Sequence, residues 1–174
     1  MCPQKRVIVA LYGKSCSGKS ATARELSQLL DCSIYSAGGR VKSRSKELGV
    51  TVTDLSLVEH RLIDEGTRAT VTSAVASLIV DGTFLDALFY DFSDVYRIEL
   101  ICSAEERRRR FNKRSGHNGL AQRDKEDDDL RRTLHGDLSS PAEATFDTTS
   151  KTPGEVAREV CGWLELRTAA KVRG

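Results

Sequence analysis

Eight consecutive residues near the start of the chain carry its strongest chemical signal. Gly13-Lys14-Ser15-Cys16-Ser17-Gly18-Lys19-Ser20 satisfies G-x-x-x-x-G-K-[ST] at every position. The glycines let the backbone curl until successive N–H groups face one anion, and a following helix adds its positive N-terminal end. In such a loop Lys19 reaches the β- and γ-phosphates of ATP, and the Ser20 hydroxyl is a ligand for Mg2+. Gly13, Ser15, Cys16, Ser17, Gly18, Lys19, Ser20 and Ala21 are therefore the expected ATP-binding residues. Cys16 at the loop's tip reads as a tolerated small residue rather than a redox switch, although helix end and lysines would favour its thiolate.

The elements around the loop are those it needs. Residues 7–12 form a short continuous apolar run, as for a strand buried on both faces, and residues 21–30 carry Ala23, Leu26 and Leu30 at helical spacing. Further strands are expected at 33–36, 78–81, 95–102 and 144–148. Helices are expected at 41–48, at 54–75 with an interruption at Gly66, and at 104–114. Residues 115–140 read as charged and turn-rich. Thr152-Pro153-Gly154-Glu155 places Thr at the N-cap, Pro at N1 and Glu at N3 of a last helix, whose apolar face carries Val156, Val160, Trp163 and Leu164. Strands alternating with helices imply an α/β fold with a mainly parallel sheet.

Composition narrows the function classes. The 174 residues hold 27 Lys and Arg against 25 Asp and Glu, a net charge of +2, which argues against binding nucleic acid by bulk charge. At 39% apolar and 30% charged residues, the chain reads as one globular domain with a real core. No apolar run approaches the ~20 residues that span a bilayer. Lys5 and Arg6 precede an apolar stretch too short for a signal peptide, so a cytoplasmic setting with no membrane partner is expected. Five cysteines (Cys2, Cys16, Cys32, Cys102, Cys161) show no C-x-x-C and no histidine at ligand spacing. They are expected as buried or half-buried thiols. His60, His117 and His135 are expected as exposed or capping residues.

Beyond the phosphate loop, the chain resembles the nucleoside monophosphate kinases, most closely the short cytidylate kinases. The likeness rests on Ser36-Ala37-Gly38 after the second strand, Asp81-Gly82 after the third, Arg107, Arg110 and Arg114 on a basic helix, and Arg123 and Asp124 followed by Asp127 and Arg131. It runs from about residue 7 to residue 164. The resemblance implies a P-loop NTPase fold with a five-stranded, mainly parallel sheet flanked by helices. A helical acceptor-binding insert would lie at about 40–72 and an arginine-rich lid at about 115–136 of a single domain. It further implies ATP and Mg2+ as cofactors and transfer of the γ-phosphoryl group to a pyrimidine nucleoside monophosphate, CMP or dCMP, by a monomer. Lys19, Arg110, Arg114 and Arg123 would be catalytic. Ser36, Gly38, Arg40, Lys42, Asp81, Gly82 and Arg131 would bind the acceptor, with Asp81 also orienting a metal-bound water.

Read from the residues alone, the stretch from Glu105 to Arg132 is either a clamp of mobile guanidiniums for a transferring phosphoryl group or a solvated surface laced with i,i+4 pairs such as Asp127–Arg131. Two positions depart from the cytidylate pattern. Lys42 stands where an arginine usually grips the acceptor phosphate, and Thr83 stands where Gly-Arg is usual. Lysine binds phosphate as a point charge without the bidentate fork. The departures imply either a monophosphate site rebuilt around Arg40, Arg44 or Arg61, or a different acceptor. The alternatives are accordingly a kinase that phosphorylates a small-molecule hydroxyl, with Asp81 as candidate base, and a catalytically silent nucleotide-binding relative.

Overall fold

The computed structural model describes residues 6–116 and 119–173. Cys2, Lys5 and His117 lie outside the described residues. Five strands, β1 (Ile8–Tyr12), β2 (Ser33–Ser36), β3 (Leu78–Asp81), β4 (Val95–Ile101) and β5 (Ala144–Asp147), form one parallel sheet in the order β2-β3-β1-β4-β5. The helices are α1 (Lys19–Leu30), α2 (Ala37–Leu48), α3 (Leu57–Ser73), α4 (Leu85–Leu88), α5 (Ala104–Ser115), α6 (Leu120–His135) and α7 (Pro153–Arg173). The α/β architecture and parallel sheet are those of the P-loop NTPase fold expected from the sequence.

β1 is central and all five of its residues are buried. Side chains alternate across a strand, so Val9 and Leu11 join Leu26 of α1 and Val156, Val160 and Leu164 of α7 on one face. Ile8 and Ala10 join Val71 of α3, Val80, Leu85 and Phe89 on the other. This double covering brings the carboxyl ends of β1 and β3 to the same edge of the sheet, beside the start of α1. Ligands of open α/β sheets bind at that edge.

Several element boundaries differ from the sequence expectation, each for an identifiable reason. α2 starts at Ala37, four residues early, because the Ser36 hydroxyl accepts from Gly39 N at 3.0 Å and caps it. α3 starts at Leu57, where Ser56 caps Glu59 N, and continues through Gly66 without a break. Buried Thr67 and Val71 hold it against the sheet, and packing outweighs one glycine's cost of about 1 kcal/mol. The stretch expected to be turn-rich contains the 16 residues of α6. Its support is electrostatic: Arg123 pairs with Asp127 and Lys125 with Asp129, both at 2.8 Å and four residues apart. The expected Asp127–Arg131 pair does not form, because Asp127 takes Arg123 and Arg131 turns to Asp86. α7 begins with the expected reciprocal cap: Thr152 N donates to Glu155 Oε2 at 2.7 Å, and Glu155 N donates to Thr152 Oγ1 at 3.3 Å.

The histidine expectation needs correction. His60 is only 6% exposed and His135 is half-buried, because both sit on inward faces of their helices; the His135 ring stands edge-on to Phe84 at 6.1 Å. Cys16, Cys32, Cys102 and Cys161 are free, half-buried thiols. No helix among the described residues is long and apolar enough to cross a membrane.

The core assignment has a direct consequence. Leu26→Ala should lower unfolding free energy by about 2–5 kcal/mol, because it opens a cavity between α1, α7 and the sheet. Leu62→Ala, at a site 54% exposed, should stay within about 0.5 kcal/mol. Urea unfolding of the two variants measures both.

Candidate active site

The loop between β1 and α1 is wound as a cradle. Gly13 has φ 141°, and a Cβ there would come within 2.2 Å of the Leu100 carbonyl oxygen. Gly18 (φ 93°) and Cys16 (φ 64°) are also left-handed, so one non-glycine residue carries backbone strain at the tip. Turning the N–H groups of such a loop inward leaves its carbonyls facing protein, where each needs a donor. The donors are all present. Lys19 Nζ donates to the carbonyls of Gly13 (2.8 Å) and Lys14 (2.9 Å). Arg107 Nε donates to Ser15 O (2.8 Å), Arg110 Nη1 to Cys16 O (3.5 Å) and Thr148 Oγ1 to Ser17 O (2.8 Å).

Lys19 opens α1 beside Asp81, the buried last residue of β3, which accepts from Ser20 Oγ at 2.6 Å. Burial of its amine pushes Lys19 down to about 8, against the opposing pull of Asp127 and Asp81. A hydroxyl and a carboxylate side by side are hard oxygen donors of the kind Mg2+ accepts, with phosphate oxygens and water completing its shell. No group of three or more His, Cys, Asp or Glu able to hold a metal by themselves occurs among the described residues. A cation here would therefore depend on the ligand's own oxygens.

A cavity of about 1100 Å3 opens from this loop between α2, α3, the end of β3 and α6. Its phosphate-loop end is lined by Ser15, Cys16, Gly18, Lys19, Ser20 and Ala21, and arginines Arg110, Arg114 and Arg123 also reach it. Gly13 and Ser17 lie beneath, with Ser17 buried. Arg110 is braced by Glu106 Oε1 (2.8 Å) and the Thr148 carbonyl (2.7 Å). Arg107, 6% exposed, also forms an ion pair with Asp124 that ties α5 to α6.

The opposite end receives Gly38, Lys42, Asp54, His60, Asp64 and Thr83, with Ser36, Asp81 and Gly82 between. Two expected acceptor residues are elsewhere. Arg40 lies over the Tyr35 ring at 5.5 Å and lines a separate groove. Arg131 donates to both Asp86 oxygens, at 3.0 and 2.8 Å, in a bidentate clasp outside the cavity lining. Arg44 is held by Glu59 (2.7 Å) and Glu47 (3.1 Å). The missed residues are His60, Asp64, Asp127 and Thr148. Burial raises Asp64 to about 6 and lowers His60 below the usual histidine value, with Arg123 adding to the latter. Asp127, four residues after Arg123, was visible in the charge pattern; nothing in the sequence distinguishes Asp64 from a surface carboxylate.

The cradle, the Ser20–Asp81 pair and the parallel sheet together define a P-loop NTPase. The family described as AAA domain matches residues 9–131, and the chain belongs to it. No curated protein matches the chain. Among solved structures, a gluconokinase from Sinorhizobium meliloti 1021 is similar with TM-score 0.69 and 14% identity, covering 99% of each chain. A shikimate kinase from Acinetobacter baumannii, in complex with shikimate, is similar with TM-score 0.68 and 16% identity, over 94% of this chain and 95% of that one. The Mycobacterium tuberculosis APS kinase in complex with AMPPNP and APS follows with TM-score 0.58 and 16% identity, over 94% and 99%. These likenesses establish the shared fold of P-loop kinases.

The depressed Lys19 value gives a pH prediction. In the empty site the amine is neutral only above about pH 8, and arriving phosphates favour the ammonium and raise its pKa. MgATP binding at about pH 8.5 should therefore take up most of a proton, and uptake should fall toward zero near pH 6.5, where Lys19 is protonated in both states. Calorimetry in buffers of different ionisation enthalpy reads the uptake, and a value independent of pH would place the proton elsewhere.

Proposed function

We propose that this chain is a MgATP-dependent kinase that transfers the γ-phosphoryl group to a hydroxyl of a small polar molecule. One observation carries the choice of acceptor. On the cavity wall made by α2 and α3, Lys42 is the single cation among the described residues, and it shares that wall with Asp54 and Asp64. The neighbouring guanidiniums of Arg40, Arg44 and Arg131 are engaged outside it. A nucleoside monophosphate brings a dianionic phosphate that is held best by bidentate arginines. A hydroxyl acceptor makes no such demand. The cytidylate reading draws support from Ser36-Ala37-Gly38, yet Ser36 Oγ is occupied in capping α2. The similar structures include a shikimate kinase in complex with shikimate, a molecule that carries hydroxyl groups.

In this reading Lys19 and the amides of residues 13–20 hold the β- and γ-phosphates. Ser20 and Asp81 would hold Mg2+, Asp81 through water, and the metal would offset phosphate charge. Arg110, Arg114 and Arg123 steady the transferring group from α5 and α6. The α2–α3 insert supplies the acceptor pocket, and α6 serves as the lid over the reacting groups.

The test is ADP release by the purified chain against a panel holding hydroxyl acceptors such as shikimate and gluconate beside CMP, dCMP and UMP. At least one hydroxyl acceptor should stimulate release tenfold or more while the monophosphates do not; efficient CMP turnover would restore the cytidylate reading. Lys19→Ala should abolish transfer and lower the melting temperature by a few degrees without unfolding the chain, because the Gly13 and Lys14 carbonyls lose their donor while no core packing is lost.

A further inference from the structure

Transfer to a hydroxyl requires a group beside the γ-phosphate that takes the proton, and the carboxylates around the cavity differ in their freedom to do so. Asp81 accepts from Ser20 at 2.6 Å and serves the metal side. Asp86 is clasped by Arg131, and Asp124 is paired with Arg107. Glu126 accepts from Gln122 at 2.8 Å, and exposed Asp129 from Lys125 at 2.8 Å. Exposed Asp54 accepts from Thr51 at 2.6 Å. Asp64 is perturbed by burial alone, and its near titratable neighbour is the His135 ring at 3.5 Å, which burial keeps toward the neutral form.

Asp127 is different in each respect. It stands in the middle of α6, lines the cavity and is 7% exposed. Its Oδ1 receives Arg123 at 2.8 Å, while its Oδ2 is buried with no hydrogen-bond partner among the described residues. A buried carboxylate oxygen left without a donor is costly and calls for a reason. Asp127 is also the foremost opposite charge acting on Lys19, the residue that faces the transferring phosphate.

We propose that Asp127 is the general base of this kinase, its Oδ2 accepting the proton of the acceptor hydroxyl. The inference rests on the hydroxyl-acceptor reading above. As the hydroxyl oxygen bonds to the γ-phosphorus, its proton passes to Oδ2. The bond from the γ-phosphorus to the β–γ bridging oxygen breaks, and ADP leaves with that electron pair. Asp127 then loses its proton to solvent. Arg123 fixes the carboxylate through Oδ1 and leaves Oδ2 without a donor of its own. Burial raises Asp127 above the usual carboxylate range, opposed by Arg123 and Lys19 and reinforced by Asp124, which suits a base working near neutrality. The charged and titratable groups around it are Lys19 from α1, Arg123 and Asp124 from α6 and His60 from α3.

Water, the simplest hydroxyl acceptor, allows a test without any identified substrate. Phosphate release from MgATP is measured for the full chain and for Asp127→Asn, Asp127→Ser and Asp127→Glu, with MgATP affinity measured alongside. The expected result is a loss of about 100-fold or more in Asp127→Asn, unchanged or tighter MgATP binding, and partial recovery in Asp127→Glu. The wild-type rate should fall as pH drops through the raised Asp127 value, and that limb should vanish in Asp127→Asn. Asp127→Ser removes the carboxylate with a smaller side chain, should Asn not be accommodated by the fold. Wild-type hydrolysis by the Asn or Ser variant, loss of MgATP binding in both, or a wild-type chain that binds MgATP without hydrolysing it would each overturn the proposal. Preference for CMP is read in the acceptor panel, so failure of the hydroxyl reading is scored separately.

Discussion

The constraint on which this structure turns is the hydrogen-bond accounting of five consecutive carbonyls. A loop that points its amides at an anion must turn residues 13–17 outward, and unpaired buried carbonyls cost free energy comparable to a lost hydrogen bond each. Their donors come from three separate places: Lys19 on α1, Arg107 and Arg110 on α5, and Thr148 after β5. The basic helix is thus part of the cradle's scaffold before it is part of any chemistry. It also explains why β4 and β5 flank β1 on one side, since α5 follows β4 and Thr148 follows β5.

The braces carry charge that must itself be balanced. Arg110 is met by Glu106, and Arg107 by Asp124 of α6, so each guanidinium enters the protein with a carboxylate. Partly buried pairs of this kind contribute position more dependably than stability. The Arg107–Asp124 pair links the phosphate loop to the cavity's cover, and the Arg131–Asp86 clasp links the far end of α6 to α4. α6 is therefore tethered at both ends while its central residues, Arg123 and Asp127, face the cavity. A helix with so few apolar residues is held by these tethers rather than by a hydrophobic face.

That distribution of forces decides what could be read in the sequence. The P-loop is a local backbone device, and the strands are continuous apolar runs, so both are legible from neighbouring residues. α6 is not, because its residues look like solvated loop until partners 17 and 45 positions away are supplied. The same distance hid the fate of Arg131, which Asp86 holds outside the cavity from 45 positions away, whereas Arg40 is drawn to a local partner, the Tyr35 ring, although its type and spacing fit an acceptor site. His60 and Asp64 were illegible for a related reason. Both belong to α3, whose inward face is set by packing against the sheet, α2 and α6 together, and hydrophobic periodicity across Gly66 gives no sign of which face that is.

The remaining question is why one cavity should join a cationic end to a wall holding two carboxylates and a single lysine. Triphosphate charge needs cations, and Lys19, Arg114 and Arg123 gather at the loop end with a place for a metal. A second phosphate dianion entering from the α2–α3 side would be repelled by Asp54, Asp64 and the bound nucleotide, while Lys42 can offset no more than a single carboxylate. A molecule rich in hydroxyl groups and carrying at most one carboxylate meets a weaker field, and the wall's carboxylates are good acceptors for its donors. The arginine expected after Gly82 would add a charge where this wall has none, and Thr83 there offers a hydroxyl instead. The charge pattern of the wall and the two departures from the cytidylate motif both fit the proposed hydroxyl acceptor, which would arrive without a phosphate of its own.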